Sequence, residues 1–225
     1  MPLGNRLVPN ELEKRGGDIA APEDISVFGG DETAKVRVWD PFVRASHWLV
    51  FLLVAVLLLT GFRGDQENHL ALGIDILVIV LGRIAWGFVG EGHARFSDFV
   101  VGPRRFFHYA QSIVRGHPQR YLGHNPAGGW MVVFLLATLM VLACTGLVLQ
   151  AELEFDGWLV GLLHLSDAAV LTLLHVHQLA VWTLLTLIPL HLIGVFLAGV
   201  QHKENLVVAM LNGEKAIRLY DQEIP

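Results

Sequence analysis

Four apolar stretches constrain this chain more than any other feature. They cover 44–62 (RASHWLVFLLVAVLLLTGF), 69–89 (HLALGIDILVIVLGRIAWGFV), 128–150 (GGWMVVFLLATLMVLACTGLVLQ) and 174–200. Each is close to the roughly 20 residues that cross a hydrocarbon layer as a helix. Lipid offers a backbone no hydrogen bonds, so each span must satisfy its own as a helix. Composition agrees: 53% of the residues are hydrophobic and 16% charged, against about 25% charged in soluble domains. The expected fold is all-α, an integral membrane four-helix bundle. A fifth stretch, 158–174, is short and broken by Ser166–Asp167. It is expected to form an extra interfacial helix before the fourth span.

The domain plan follows. Residues 1–34 are polar, with no apolar run of a signal peptide, and are expected to form a mobile cytoplasmic tail. Residues 35–202 hold the spans, and 203–225 form a C-terminal tail. Basic residues give the orientation. Arg6, Lys14, Arg15, Lys35, Arg37 and Arg44 precede or open span one. Arg95, Arg104, Arg105, Arg115 and Arg120 follow span two, and Lys203, Lys215 and Arg218 follow span four. The other two connections hold only Arg63. Basic-rich segments mark the cytoplasmic side, so both termini are expected there.

Ionisable side chains at membrane depth usually mark a working site. His47 opens span one on the cytoplasmic side, and His69 opens span two at the outer face. Span four carries His177 near the outer face and His191 deeper. These two are 14 residues apart, about 21 Å along a helix and close to four turns, so they share a side. Two depth-matched pairs result: His47 with His191, and His69 with His177. Facing imidazoles in a bundle core are suited to clamping haem iron from both sides. Two haems would then lie one above the other. For a single histidine, an interhelical hydrogen bond is the simpler reading. Zinc or copper could use the same residues, although zinc takes three or four ligands. A haem-free membrane anchor is a third reading. His175 points elsewhere on a helix and reads as boundary packing, with replacement of His177 as the alternative. Arg83 follows His69 by 14 residues and Arg44 precedes His47 by three. Either could pair with a haem propionate or snorkel to the interface. Pro189 lies two residues before His191 and should bend span four or free a carbonyl there. The single cysteine, Cys144, excludes intramolecular disulfides, Cys-ligated iron–sulfur clusters and a CxxCH haem attachment.

Four segments carry a family resemblance: VRVWDPFVRASHW (36–48), HLALGIDILVIVLGR (69–83), HNPAGGWMV (124–132) and the long run 175–215. Together they resemble the prokaryotic cytochrome b561 family, which includes the di-haem cytochrome b subunits of nickel–iron hydrogenases. The resemblance implies a four-helix cytochrome of a bacterial inner (plasma) membrane, with two b-type haems, that exchanges electrons with quinone, which it would bind. It implies His47, His69, His177 and His191 as axial ligands. Gln178 departs from a glutamate common in such relatives, which puts in doubt a proton-carrying role there.

The connection 90–127 is long, and its segment RRFFHYAQSIV reads as an amphipathic helix on the inner membrane surface. It is weighed against a partner-docking or quinone-site role. His93, His108, His117, His124, His164 and His202 receive no assigned role. The outer connections carry Asp65, Glu67, Glu152, Glu154, Asp156 and Asp167 against Arg63. Such a face favours a cationic partner surface, such as a cytochrome c or a hydrogenase-type subunit. A superoxide:quinone oxidoreductase would want a positive outer face and is the runner-up. The chain carries no acid–base pair or nucleophile of its own, so its expected role is that of a quinone-linked electron-transfer subunit between an outer-face redox protein and the quinone pool. Membrane lipid is an expected partner and nucleic acid is not.

Overall fold

A computed structural model describes residues 33–154, 157 and 159–218. The helices are α1 (Pro41–Arg63), α2 (Gln66–Val89), α3 (Phe96–Phe99), α4 (Pro103–Val114), α5 (Pro126–Leu153), α6 (Asp167–His202) and α7 (Leu206–Asn212). A 3-10 turn, Gly92–Ala94, leads into α3. Four of these, α1, α2, α5 and α6, are long and apolar enough to cross a membrane. Large apolar side chains cover their outer surfaces: Phe88 is 72% exposed and Leu179 68%. Water-soluble proteins rarely tolerate so much exposed apolar surface. The molecule is an integral membrane helical bundle.

Side-chain caps set where the spans begin. Asp40 accepts from Val43 N at 2.9 Å, with Pro41 next in line. Asn125 does the same for Gly128 N at 2.7 Å, ahead of Pro126. Short polar caps and a proline in the first turn both favour helix initiation. α1 and α2 are joined through Gly64, whose φ of 70° ends α1 in the left-handed region that glycine enters freely. Asp65 then caps α2. This tight reversal brings the start of α2, with His69, against the last turn of α1.

The separate interfacial helix expected over 158–174 is not present among the described residues. The chain turns through 159–165, and α6 begins at Asp167 and runs 36 residues. Ser166–Asp167, read from sequence as an interruption, is a start signal. Ser166 Oγ accepts from Ala169 N, and Asp167 places negative charge in the first turn. Trp158 lies outside the described residues, as do Asp156 of the acidic connection and residues 1–32 of the expected tail. The amphipathic segment of the long connection does form a helix, α4.

The bundle core is built at seven-residue intervals. Val54, Ile76, Val80, Leu136, Leu139 and Leu184 form one buried cluster drawn from all four spans. Val54 lies seven residues after His47, Ile76 seven after His69, and Leu184 midway between His177 and His191. Seven residues is about two helical turns, so each helix turns a titratable end group and an apolar middle to the same side. α1 packs on α2, α2 on α5 and α5 on α6. Close packing of α6 runs along α5.

After α6 the described residues continue into α7 and pack back on the start of α1. Ala209 of α7 joins Val38, Trp39, Val43 and Ala94 in a second buried cluster. Arg44 Nη2 donates to the Leu211 carbonyl, and Trp48 Nε1 to that of Met210 at 3.3 Å. Val38 N and Trp39 N both donate to the Gly213 carbonyl. Gly213 has φ 86°, and a Cβ there would stand 2.8 Å from the Trp39 carbonyl oxygen. Separately, β1 (Thr33–Arg37) pairs with β2 (Glu214–Arg218) in a two-stranded sheet.

Candidate cofactor site

The structure brings the four intramembrane histidines together in twos. His47 of α1 faces His191 of α6, with ring centroids 6.4 Å apart and planes at 52°. His69 of α2 faces His177 of α6, also at 6.4 Å, with planes at 73°. Both pairs bridge from α6 to a helix other than α5. An imidazole nitrogen binds a metal at about 2 Å, so two rings on opposite sides of one iron atom have centroids roughly 6 Å apart. Both pairs fit that spacing. Among the described residues no group of three or more His, Cys, Asp or Glu could hold a metal ion. A two-histidine level suits haem, whose porphyrin supplies the remaining ligands, and leaves zinc short of its usual set. His175 is exposed and faces neither pair.

The His69–His177 level has defined hydrogen-bond partners. Thr60 Oγ1 lies 3.0 Å from the Val56 carbonyl and 3.1 Å from that of Leu57, so its one proton goes to a carbonyl. It can then only accept from His69 Nδ1, 3.2 Å away. The Leu57 carbonyl, 3.0 Å from the same nitrogen, also only accepts. Nδ1 of His69 therefore carries the proton and Nε2 the lone pair. Thr145 Oγ1 repeats the arrangement, donating to the Val141 carbonyl at 2.7 Å and lying 2.8 Å from His177 Nδ1. Metal-bound histidines ordinarily donate their other N–H in this way, which fixes tautomer and ring orientation.

Glycines make room for the rings. A Cβ on Gly61 would come within 3.1 Å of His69 Cε1, and one on Gly146 within 3.4 Å of His177 Cε1. A cavity of about 690 Å³ opens here, lined by Gly61, Gly73, Leu142, Gly146, Gln178 and Trp182 among others. That is within the range of small-molecule and cofactor sites, about 300–1,000 Å³. The threonines were not singled out from sequence. The signal was there: a Thr–Gly pair recurs near the end of span one (Thr60–Gly61) and of span three (Thr145–Gly146).

The His47–His191 level has different surroundings. Four buried side-chain nitrogens among the described residues have no hydrogen-bond partner: Arg44 Nε, His47 Nδ1, Arg83 Nη1 and His124 Nδ1. Arg83 is 7% exposed. Arg44, its equal as a sequence candidate, has its Nη2 on the Leu211 carbonyl at the end of α7. His124, given no role from sequence, lies between Trp39 and Phe99, at centroid distances of 4.7 and 4.6 Å. Burial first, and then the charges of Arg83, Lys215, His93 and His191, push its pKa down to about 3. His93 lines a smaller cavity with His124 and Asp98, and burial lowers its pKa too. His117 Nδ1 meets only the nearby Arg115 carbonyl, and His108 and His164 are exposed.

The family model for prokaryotic cytochrome b561 matches residues 38–213. A probable Ni/Fe-hydrogenase B-type cytochrome subunit of Rhodobacter capsulatus is 25% identical, covering 92% of this chain and 96% of the relative. Its counterpart in Azotobacter vinelandii is 26% identical over 84% of this chain and 94% of the relative. A probable Ni/Fe-hydrogenase 1 B-type cytochrome subunit of Escherichia coli K12 is 22% identical over 83% and 93%. No solved structure matches the chain. With four apolar spans and facing histidines, the chain is a membrane b-type cytochrome of electron transfer, and it belongs to the prokaryotic cytochrome b561 family.

Proposed function

We infer that the protein carries two b-type haems and passes electrons between a redox protein at the His69–His177 end and quinone in the membrane. The observation that carries this reading is the pair of equal 6.4 Å histidine separations, both spanning from α6. His47 and His191 would hold one haem, His69 and His177 the other. Haem supplies reversible one-electron chemistry when bound. The protein's part is to grip the iron, set the tautomers of His69 and His177, and separate the two levels with the apolar layer of Val54, Ile76, Val80 and Leu184. The 14-residue interval in α6 corresponds to about 21 Å between levels.

The His69–His177 end carries Asp65, Glu67, Glu152, Glu154 and Asp167 against Arg63. This acidic set favours a cationic docking surface. The names of the relatives make a nickel–iron hydrogenase the first partner to test. The basic-residue count favours both termini on the cytoplasmic side and the acidic end outside. That acidic end also weighs against superoxide as electron donor.

Purified protein should give a reduced-minus-oxidised b-type spectrum, and haem extraction should return two haems per chain. Reduced protein in liposomes should pass its electrons to a quinone analogue. One haem or none, or a reduced form that quinone leaves untouched, overturns the reading.

A further inference from the structure

Among the described residues, all four enclosed nitrogens without partners belong to the His47–His191 end. Arg44 is engaged elsewhere, through the Leu211 carbonyl. Arg83 and His124 are not. Arg83 lies inside the bundle, and His124 lies between Trp39 and Phe99, tilted against both rings. Asp98 shares the small cavity with His93 and His124 and, among the described residues, accepts from Ser97 Oγ through Oδ1 alone; two further carboxylates, Asp40 and Glu204, are committed. Asp40 accepts from Val43 N through Oδ1 and from Trp86 Nε1 through Oδ2. Glu204 pairs with Arg120 at 2.5 Å and Lys215 at 3.3 Å. A buried guanidinium and a neighbouring imidazole, both with a donor to spare, make a receptor for an anion.

We propose that Arg83 and His124 together hold a propionate carboxylate of the haem clamped between His47 and His191. This rests on the di-haem reading above. Arg83 supplies the charge that a carboxylate needs to leave water. His124 supplies a neutral, directional N–H from Nδ1, and its aromatic neighbours hold the ring in place. The low proton affinity of His124 supports a neutral donor. The connection 90–127 thereby gains a task beyond joining two spans, because it carries His124 to the cofactor's polar edge.

The test is redox titration of the purified holoprotein with resonance Raman spectra of each haem. The haem lost in His47→Ala identifies the one concerned. His124→Phe keeps an aromatic ring between Trp39 and Phe99 and removes the donor. Its near haem should become harder to reduce by about tenfold in equilibrium constant, about 59 mV for one electron. The other haem should not move. The propionate bending band of the near haem should shift, and His124→Gln, which restores an N–H, should recover part of both changes. With Arg83→Gln, the double variant should shift less than the two single variants summed, since both grip one group. If His124→Phe does not load haem, the His124→Gln and Arg83→Gln pair carries the same test. Unchanged potentials, equal shifts of both haems, or a potential shift without a change in the propionate band overturns the proposal. The last of these would point to a lipid phosphate in the site. A wild-type protein without two haems fails the underlying reading instead, and is recognised before any variant is made.

Discussion

At the His69–His177 end, each imidazole meets a threonine hydroxyl at Nδ1 and a glycine beside its ring. At the His47–His191 end, His47 Nδ1 has no partner, and arginine, lysine and histidine side chains gather around aromatic rings. Ring separation is the same in both pairs. One end is prepared through ligand orientation, the other through local charge. A haem at the first level should depend most on the neutral groups that aim its ligands. A haem at the second should depend most on the cations near its periphery.

The largest effect is loss of a whole cofactor. His177→Ala should remove one haem of two and leave the spectrum of the other intact, and His191→Ala should do the reverse. Haem-to-protein ratio and low-temperature spectra read the outcome. If either substitution removes the haem assigned to the opposite level, the pairing is wrong. Gly61→Leu should come next. A side chain there enters a space where even a Cβ stands 3.1 Å from His69, in a bundle with little freedom to adjust. The haem of that level should be absent or at a small fraction of its normal occupancy, with the other level full.

Thr145→Val keeps the shape of the residue and removes its hydroxyl. Removing such an outer partner ordinarily weakens a metal site by about 10–100-fold. Retention of the haem at the His69–His177 level should fall by about that factor in competition with apomyoglobin, while the other level should not change. Equal loss at both levels would erase the distinction drawn here.

Much of this arrangement was legible in the sequence, for a simple reason. Fourteen residues is nearly a whole number of turns, so His177 and His191 had to share a side, as His69 and Arg83 had to. The apolar middle followed the same interval through Val54, Ile76 and Leu184. The misread element was Ser166–Asp167, where two polar residues in an apolar stretch meant a helix start rather than a break. Hydropathy treats a cap and an interruption alike; only the hydrogen bond from Ala169 N to Ser166 tells them apart. Thr60 and Thr145 left only the faint mark of a repeated Thr–Gly pair and His124 left none, because their meaning depends on contacts across helices or on a loop folding back. Spacing within one helix carries no information about either.

Arg44 and Arg83 show the same limit and supply the smallest effect. Sequence position made them equal candidates for a carboxylate of the haem. The structure separates them, since Arg44 holds the end of α7 and Arg83 stays inside the bundle. Arg44→Met keeps the aliphatic stem and deletes the donor. A hydrogen bond from a charged group contributes about 1.5–3 kcal/mol when well buried, and this one is exposed, so about 1 kcal/mol is expected. The loss should fall on α7, where Trp48 and the Gly213 carbonyl still hold the chain. Limited proteolysis near 205–213 should speed up several-fold, because cleavage follows the open population. Both haem potentials should stay in place. A fall in the potential of the His47–His191 haem in Arg44→Met, matching that in Arg83→Gln, would return the two arginines to equal standing and remove the reason for assigning the carboxylate to Arg83.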